Sequence, residues 1–230
     1  MLEVRRLAEG FYALEDARVR QFLVLGEERA LLFDTGFGDT EVLAAARTLT
    51  DLPIDLVLTH GDPDHVGGLG DFTHCRLHPG DWHKITAPVS LMPLAEGDVL
   101  RCGRFAFEVI AIPGHTPGSV AFYDRVQKIL LPGDSVQQGG PIYMFGPDRD
   151  LPRYIQSLEK LAAQIPDDVA VFPCHSACPI DASCIAGNLA DARALKADAL
   201  AGEDAPGLDC RRYHGRTVDF LYDGGIVANS

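Results

Sequence analysis

Four side chains that could bind a metal ion lie close together in the segment Thr-His-Gly-Asp-Pro-Asp-His-Val-Gly-Gly. They are the imidazoles of His60 and His65 and the carboxylates of Asp62 and Asp64. The segment directly follows the run from Ile54 to Leu58, whose apolar character predicts a buried strand. Imidazole and carboxylate together suit divalent zinc, iron or manganese. The spacing predicts a loop that turns these ligands toward one metal site, and a solvated polar loop is the alternative interpretation of this motif alone.

Three further candidate ligands each follow a strand-like run and then Pro or Gly. They are His115 in Ile-Pro-Gly-His-Thr-Pro-Gly-Ser, Asp134 in Leu-Pro-Gly-Asp-Ser and His175 in Phe-Pro-Cys-His-Ser. Strand ends are rigid and glycine lets the backbone bend, which is typical of sites placed on a rigid scaffold. A lone histidine is more often an ordinary surface or core residue. The repeated placement nevertheless favours a shared metal site.

The elements that must position these residues are strands and helices mixed along the whole chain. Periodicity and turn residues predict strands at 11–14, 21–25, 30–34, 54–58, 105–112, 119–123, 128–131 and 169–172, an edge strand at 217–222, and helices at 39–50, 151–165 and 181–201. No repeat, linker or domain boundary is visible, so residues 1–230 are predicted to form a single domain of two sheets with helices outside, in the α+β class. The glycine-rich segment 137–147 predicts either a mobile lid or an ordinary loop packed on the core.

Composition limits the partners of the protein. The chain has 230 residues, is 47% hydrophobic and carries a net charge of −13. This charge argues against binding to nucleic acid or to an anionic membrane surface, because phosphate recognition needs clustered Lys and Arg. The N-terminal residues lack the apolar region of a signal peptide, and no apolar run approaches the roughly 18 residues of a membrane span. We therefore expect a cytoplasmic protein with a small-molecule substrate, and the sequence leaves its oligomeric state open.

Six cysteines are spread along the chain. In a cytosolic protein we expect them to be reduced thiols rather than a disulfide framework. Cys174 and Cys178 flank the stretch that holds His175. A separate metal site or a redox pair at these two residues is an alternative to the simpler interpretation of small buried side chains.

Taken together, these motifs resemble those of the metallo-β-lactamase fold superfamily over about residues 4–222. The family pattern of His-x-His-x-Asp-His, Gly-His-Thr, Gly-Asp and a late His is matched by His60, Asp64, His65, His115, Asp134 and His175. The turn Asp34-Thr35-Gly36 also matches. The resemblance implies a four-layer αβ/βα sandwich with two divalent metal ions in a cleft at one edge. Zinc is the first expectation for these ions, with iron or manganese as alternatives.

One position departs from the family pattern, because Asp62 replaces the second histidine. The resemblance implies one metal on His60, Asp62 and His115, a second on Asp64, His65 and His175, and Asp134 bridging both. A carboxylate is a harder ligand than imidazole, so Asp62 shifts the preference toward iron or manganese. The flavodiiron branch of the superfamily has Glu at this position and binds two irons. The alternative is that Asp62 does not ligate and that only the metal on the Asp64 and His65 side is held.

The resemblance implies metal-assisted hydrolysis of a small ester, thioester or lactone by a hydroxide that bridges the two metals. Asp64 is the candidate catalytic residue, because it can orient the nucleophile and pass a proton to the leaving group. The motifs around Asp34 and His115 look most like the glyoxalase II and thioesterase-like branch. Two alternatives remain: a non-heme diiron protein that binds or reduces dioxygen, and a catalytically silent binding module that kept the fold.

Overall fold

The computed structural model describes residues 2–197 and 202–223, in which strands and helices are mixed. The chain divides into two compact units. The first runs to Ile110 and includes Val120–Lys128, and the second contains Ala111–Ser119 and the chain from Ile129 onward. The predicted α+β class is confirmed. That the whole chain forms a single domain stays a prediction.

The first unit is built mainly of strands, with two short helices. Its elements are β1 (Glu3–Ala8), β2 (Phe11–Glu15), β3 (Arg20–Leu25), β4 (Ala30–Phe33), α1 (Val42–Arg47), β5 (Ile54–Val57), α2 (Pro63–Val66), β6 (His74–Leu77), β7 (Ser90–Pro93), β8 (Val99–Cys102), β9 (Phe105–Ala111) and β10 (Val120–Asp124). Strands β1 to β7 form one sheet in chain order, antiparallel up to β4 and parallel from β4 to β7. In the other sheet β9 lies between β8 and β10.

Both faces of the seven-stranded sheet are buried near its centre. On one face Leu32 and Leu56 pack in an aliphatic cluster that includes Val42 from α1. On the other face the ring of Phe33 lies 5.2 Å from that of Phe107 and 4.9 Å from that of Phe122. Neighbouring side chains of a strand point to opposite faces, so a strand buried on both sides must be apolar throughout. This explains the near-continuous apolar runs, and it makes the end of β5 a rigid platform.

The second unit contains two long helices and two groups of strands. Its elements are β11 (Ile129–Leu131), β12 (Pro141–Met144), α3 (Leu151–Gln164), β13 (Ala170–Val171), β14 (Ile180–Asp181), α4 (Ser183–Lys196), β15 (Glu203–Asp204), β16 (Arg211–His214) and β17 (Asp219–Tyr222). Strand β13 lies between β11 and β14, and a four-stranded sheet has the order β12-β17-β16-β15. Helices α3 and α4 pack against each other. No helix in the described part of the chain is long and apolar enough to cross a membrane.

Three predicted elements differ from the structure. The helix predicted at 39–50 is confined to α1, whose N-cap Glu41 makes no side-chain capping hydrogen bond. The last predicted helix begins at Ser183 and is helical to Lys196, and positions 198–201 of that prediction lie outside the described residues. The edge assignment of the last strand is wrong, because β17 pairs with both β12 and β16.

The segment 137–147 is not a free lid, because its centre is strand β12, parallel to β17. Ile142 and Met144 are fully buried, whereas Tyr143 is exposed. This alternation is that of a strand with one face on the core. The interpretation as an ordinary packed segment was therefore nearer to the structure.

Candidate metal centre

The first unit gathers two histidines and two aspartates just beyond the end of β5. Pro63 starts α2, which suits proline because the first helical N–H needs no partner within the helix. His60 and His65 are buried, with ring centroids 4.0 Å apart. Each imidazole faces a carboxylate: His60 Nε2 lies 3.5 Å from Asp62 Oδ2, and His65 Nε2 lies 3.6 Å from Asp64 Oδ2. The segment is thus a short turn and a helix rather than a loop alone.

Hydrogen bonds at the Nδ1 atoms orient both imidazoles. His65 Nδ1 lies 2.8 Å from Asp34 Oδ2, and His60 Nδ1 lies 2.9 Å from Thr59 Oγ1. Asp34 is fully buried and also accepts hydrogen bonds from the Thr59 backbone N–H at 2.8 Å and from its hydroxyl at 2.7 Å. A contact at one ring nitrogen fixes the ring and directs the other nitrogen to a metal. Asp34 therefore holds His65, a role that the Asp-Thr-Gly turn did not reveal by itself.

The 3₁₀ helix Pro79–Lys84 lies against the same motif. The buried carboxylate of Asp81 accepts a hydrogen bond from the Gly61 backbone N–H at 2.7 Å. Lys84 Nζ lies 3.2 Å from Asp62 Oδ1. Neither Asp81 nor Lys84 was expected at the site, because contacts between segments this far apart in the chain leave no periodic signal in the sequence.

The second unit brings its three predicted residues together around one carboxylate. Asp134 Oδ2 lies 3.7 Å from His115 Nε2 and 3.2 Å from His175 Nε2. His115 and Asp134 are buried and His175 is half-buried. The three follow β9, β11 and β13 respectively. All three residues therefore lie just after strand ends. The sequence predicted this placement from its repeated pattern of a strand, then Pro or Gly, then a candidate ligand.

Helix α3 and the residue before its cap hold the loop that carries His115. The Ser157 hydroxyl donates to Pro113 O at 2.7 Å, and the Arg149 guanidinium donates to His115 O. At Gly114, where φ is +133°, an added Cβ would lie 2.2 Å from the backbone nitrogen of Tyr154. Only glycine permits both this φ and this approach. The Pro-Gly-His sequence is therefore required by the packing of α3.

Tyr154 of α3 supports the loop that carries Asp134. Its hydroxyl donates to Ser135 O at 2.8 Å, and its side chain is fully buried. Burial raises the pKa of Tyr154 well above its ordinary value, and the negative charges of Asp191 and Asp134 raise it further. The hydroxyl therefore stays protonated and remains a donor at neutral pH.

The distances between the candidate donors fit a metal ion. Two ligands about 2.1 Å from a tetrahedral zinc ion lie about 3.4 Å apart. The four His–Asp separations span 3.2 to 3.7 Å, at or beyond the long end of hydrogen bonding. Six of the seven predicted ligands belong to groups of three or more described side chains that could hold a metal ion, and the exception is Asp62. The donor set thus fits a divalent metal, with Asp62 apart from the rest.

The six cysteines, which all lie in the described part of the chain, are thiols rather than disulfides. Cys174 is buried, Cys178 is half-buried, and the Cys174 backbone N–H donates to Gly133 O at 3.3 Å. Cys174 thus helps to join the segments that carry Asp134 and His175 through its backbone. A redox or separate metal role for the two thiols stays untested.

Residues 17–175 match the family model of the Metallo-beta-lactamase superfamily. This is more than half of the chain, and the chain belongs to that superfamily. A solved metallo-beta-lactamase from Pontibacter korlensis has a TM-score of 0.74, covering 84% of this chain and 99% of that one at 21% identity. The predicted metallo-β-lactamase fold is confirmed.

Relatives with described activities cover part of the chain. A hydroxyacylglutathione hydrolase of Aeromonas hydrophila subsp. hydrophila is 32% identical over 170 residues, 67% of this chain and 59% of that enzyme. The acyl-coenzyme A thioesterase MBLAC2 of Gallus gallus is 29% identical over 196 residues, 67% of this chain and 70% of that protein. TTHA1623, solved in a di-iron-bound form, has a TM-score of 0.63 at 27% identity, covering 76% of this chain and 95% of that one. The chain therefore spans about three fifths of the Aeromonas relative.

Proposed function

We propose that this protein is a cytoplasmic metal-dependent hydrolase that cleaves a small ester, thioester or lactone. The observation that carries the proposal is that three His–Asp pairs, at 3.2 to 3.7 Å, have the separation of ligands on a shared metal ion. Membership of the superfamily supports hydrolysis. Both relatives described above are named for thioester substrates, so the thioester is the first substrate class to test.

The proposed ligands of two divalent metal ions, zinc first, are His60, Asp62, Asp64, His65, His115, Asp134 and His175. Bound metals would supply a Lewis acid and a water that ionises near neutral pH. Asp134 is the proposed bridging ligand, because one of its oxygens faces the Nε2 atoms of both His115 and His175. Asp34 and Thr59 would fix the orientation of the two imidazoles in the first unit.

Asp64 is the proposed catalytic residue. Its side chain is 19% exposed, compared with 10% for Asp62 and none for Asp34. It is therefore the most accessible carboxylate of the first unit's cluster. A carboxylate in this position can take a proton from water and deliver it to the leaving thiolate or alkoxide.

A second candidate function is that of a non-heme diiron protein that binds or reduces dioxygen. The carboxylate of Asp62 beside His60 favours this candidate, because a carboxylate in place of imidazole favours harder metals such as iron. Elemental mass spectrometry on protein expressed with zinc and iron both present separates the two candidates. Two irons per chain with a near-ultraviolet absorption band would favour oxygen chemistry, and two zincs would favour hydrolysis.

The test of the hydrolase proposal is turnover of a substrate panel by the zinc-loaded protein. We expect hydrolysis of hydroxyacyl-glutathione or acyl-coenzyme A thioesters, with oxygen esters and lactones as comparisons. Asp134→Asn should lower kcat/KM by about 100-fold or more, because it removes the charge that faces two histidines.

Asp167→Asn, on an exposed carboxylate away from the candidate ligands, is the matched control and should keep wild-type turnover. Full activity in Asp134→Asn would exclude the two-metal mechanism. Failure of the metal-loaded wild type on every ester, thioester and lactone would remove the hydrolase proposal itself.

A further inference from the structure

Lys84 contacts Asp62 in the segment that carries His60 and His65, and this contact has no role in the proposed function. Its Nζ lies 3.2 Å from Asp62 Oδ1, and the exposed fractions of the two side chains are 17% and 10%. The other oxygen of the same carboxylate, Oδ2, lies 3.5 Å from His60 Nε2. One carboxylate therefore faces an imidazole on one side and an ammonium on the other.

The motif itself holds Lys84 in this position. A Cβ added at Gly61 would lie 3.0 Å from Lys84 Cδ and 3.1 Å from its Cβ, so the glycine leaves room for the alkyl stem. The backbone N–H of Gly61 donates to Asp81, which fixes the 3₁₀ helix that ends at Lys84. Contacts therefore hold the alkyl chain of Lys84, its ammonium group and the 3₁₀ helix that carries it.

The ammonium changes what Asp62 offers to a metal. It compensates the charge of the carboxylate and repels any second cation that approaches. His60 belongs to a group of described side chains that could hold an ion, whereas Asp62 belongs to none. We propose that Lys84 withholds Asp62 from the metal ion that His60 binds, so that this ion binds more weakly than the other. The inference rests on the two-metal site of the proposed function, and it departs from that site in one ligand, because Asp62 pairs with Lys84 instead of the metal and the two positions become unequal.

The test is a titration of metal-free protein with Zn²⁺ against a chromophoric chelator, which measures metal number and Kd without turnover. The wild type should bind two zinc ions with affinities at least about tenfold apart. Lys84→Met keeps an alkyl stem on Gly61 and removes the charge. It should therefore lower the Kd of the weaker zinc-binding step, called the weak step below, by about tenfold or more. Lys84→Arg keeps the charge and should leave this step weak. Lys196→Met, on an exposed lysine of α4, controls for net charge.

Asp62→Asn provides the second arm of the experiment. In this background Lys84→Met should change the weak step by less than about twofold, because no carboxylate remains to be released. A single zinc step in the wild type that becomes two in Lys84→Met would also support the proposal.

Equal affinities in the wild type would overturn the inference, as would a weak step that Lys84→Met leaves unchanged or weakens. If Lys84→Met does not fold, Lys84→Gln is titrated with the same two outcomes. Absence of hydrolysis across the substrate panel, together with a tightened step in Lys84→Met, would remove the proposed function and leave this inference standing. Hydrolysis of a panel substrate, together with an unchanged Kd of the weak step in Lys84→Met, would keep the proposed function and remove this inference.

Discussion

Asp34 is the residue on which the orientation of His65 depends. Its carboxylate is fully buried and bonds His65 Nδ1 and two donors of Thr59. Its backbone has φ +65°, in the left-handed region that aspartate adopts more readily than most residues. The Asp-Thr-Gly turn after β4 therefore supports the proposed ligand His65.

Replacing Asp34 by Asn should weaken zinc binding by about 10- to 100-fold, because the amide cannot accept from Thr59 and His65 as the carboxylate does. Chelator competition on purified protein measures the change. Asp124→Asn is the matched control, since Asp124 is equally buried but bonds backbone N–H groups such as those of Ala106 and Val126. Unchanged zinc affinity in a folded Asp34→Asn variant would contradict the assignment of Asp34 as a support for His65.

Strands β1, β2 and β3 are joined by an ion cluster around Glu15. Arg5 Nε lies 2.7 Å from Glu15 Oε1, and Arg20 donates to Glu15 Oε2. Partial burial by itself raises the pKa of Glu15, but hydrogen bonds and charges from Arg5 and Arg20 outweigh it and hold this pKa below its ordinary value. The contribution of Glu15 to stability is therefore present above the pKa of the unfolded chain and is lost as pH falls through the lowered, folded-state pKa.

We expect Glu15→Gln to lower the free energy of unfolding by about 1 kcal/mol at neutral pH, a value discounted for solvent screening. The difference from wild type should begin to shrink as pH falls below the unfolded-state pKa of about 4.3 and should vanish below the lowered folded-state pKa, where the folded wild-type carboxylate is protonated as well. Urea unfolding at several pH values measures both. Glu27→Gln, on an exposed glutamate of the β3–β4 turn, is the control. A difference that is constant across pH would show that the effect is not electrostatic.

Metal binding should be linked to the stability of the whole molecule. The proposed ligands sit on turns after β5, β9, β11 and β13, so a divalent ion that binds them only in the folded protein stabilises it. At free zinc about 1,000 times Kd this linkage contributes about 4 kcal/mol.

Removing metal with a chelator should therefore lower the Tm, and adding zinc back should restore it. Scanning calorimetry on the same preparation in the two states measures the change. The shift should be much smaller in Asp134→Asn, and magnesium at equal ionic strength serves as the salt control. Identical unfolding curves with and without zinc would show that no resident metal is bound.

Local pattern was enough to predict the strands that carry the site and most of the candidate ligands. The apolar runs that became β4 and β5 are nearly continuous because their sheet is buried on both faces, and this signal is strong. The clustering of His60, Asp64 and His65 next to such a run indicated metal chemistry without knowledge of any distant contact. Helix α3 was equally visible, since its apolar face recurs with helical spacing.

Contacts between distant segments were decided only by the tertiary structure. The pairing of β12 with β17 converts an apparent lid into a strand, because β propensity is realised only when a partner is present. The ion pair of Lys84 with Asp62 joins residues of a strand-end turn and a 3₁₀ helix, and side-chain periodicity carries no information about such a pair. Residue types and spacing thus predicted the candidate ligands, whereas packing decided what surrounds each candidate and how strongly its charge is compensated.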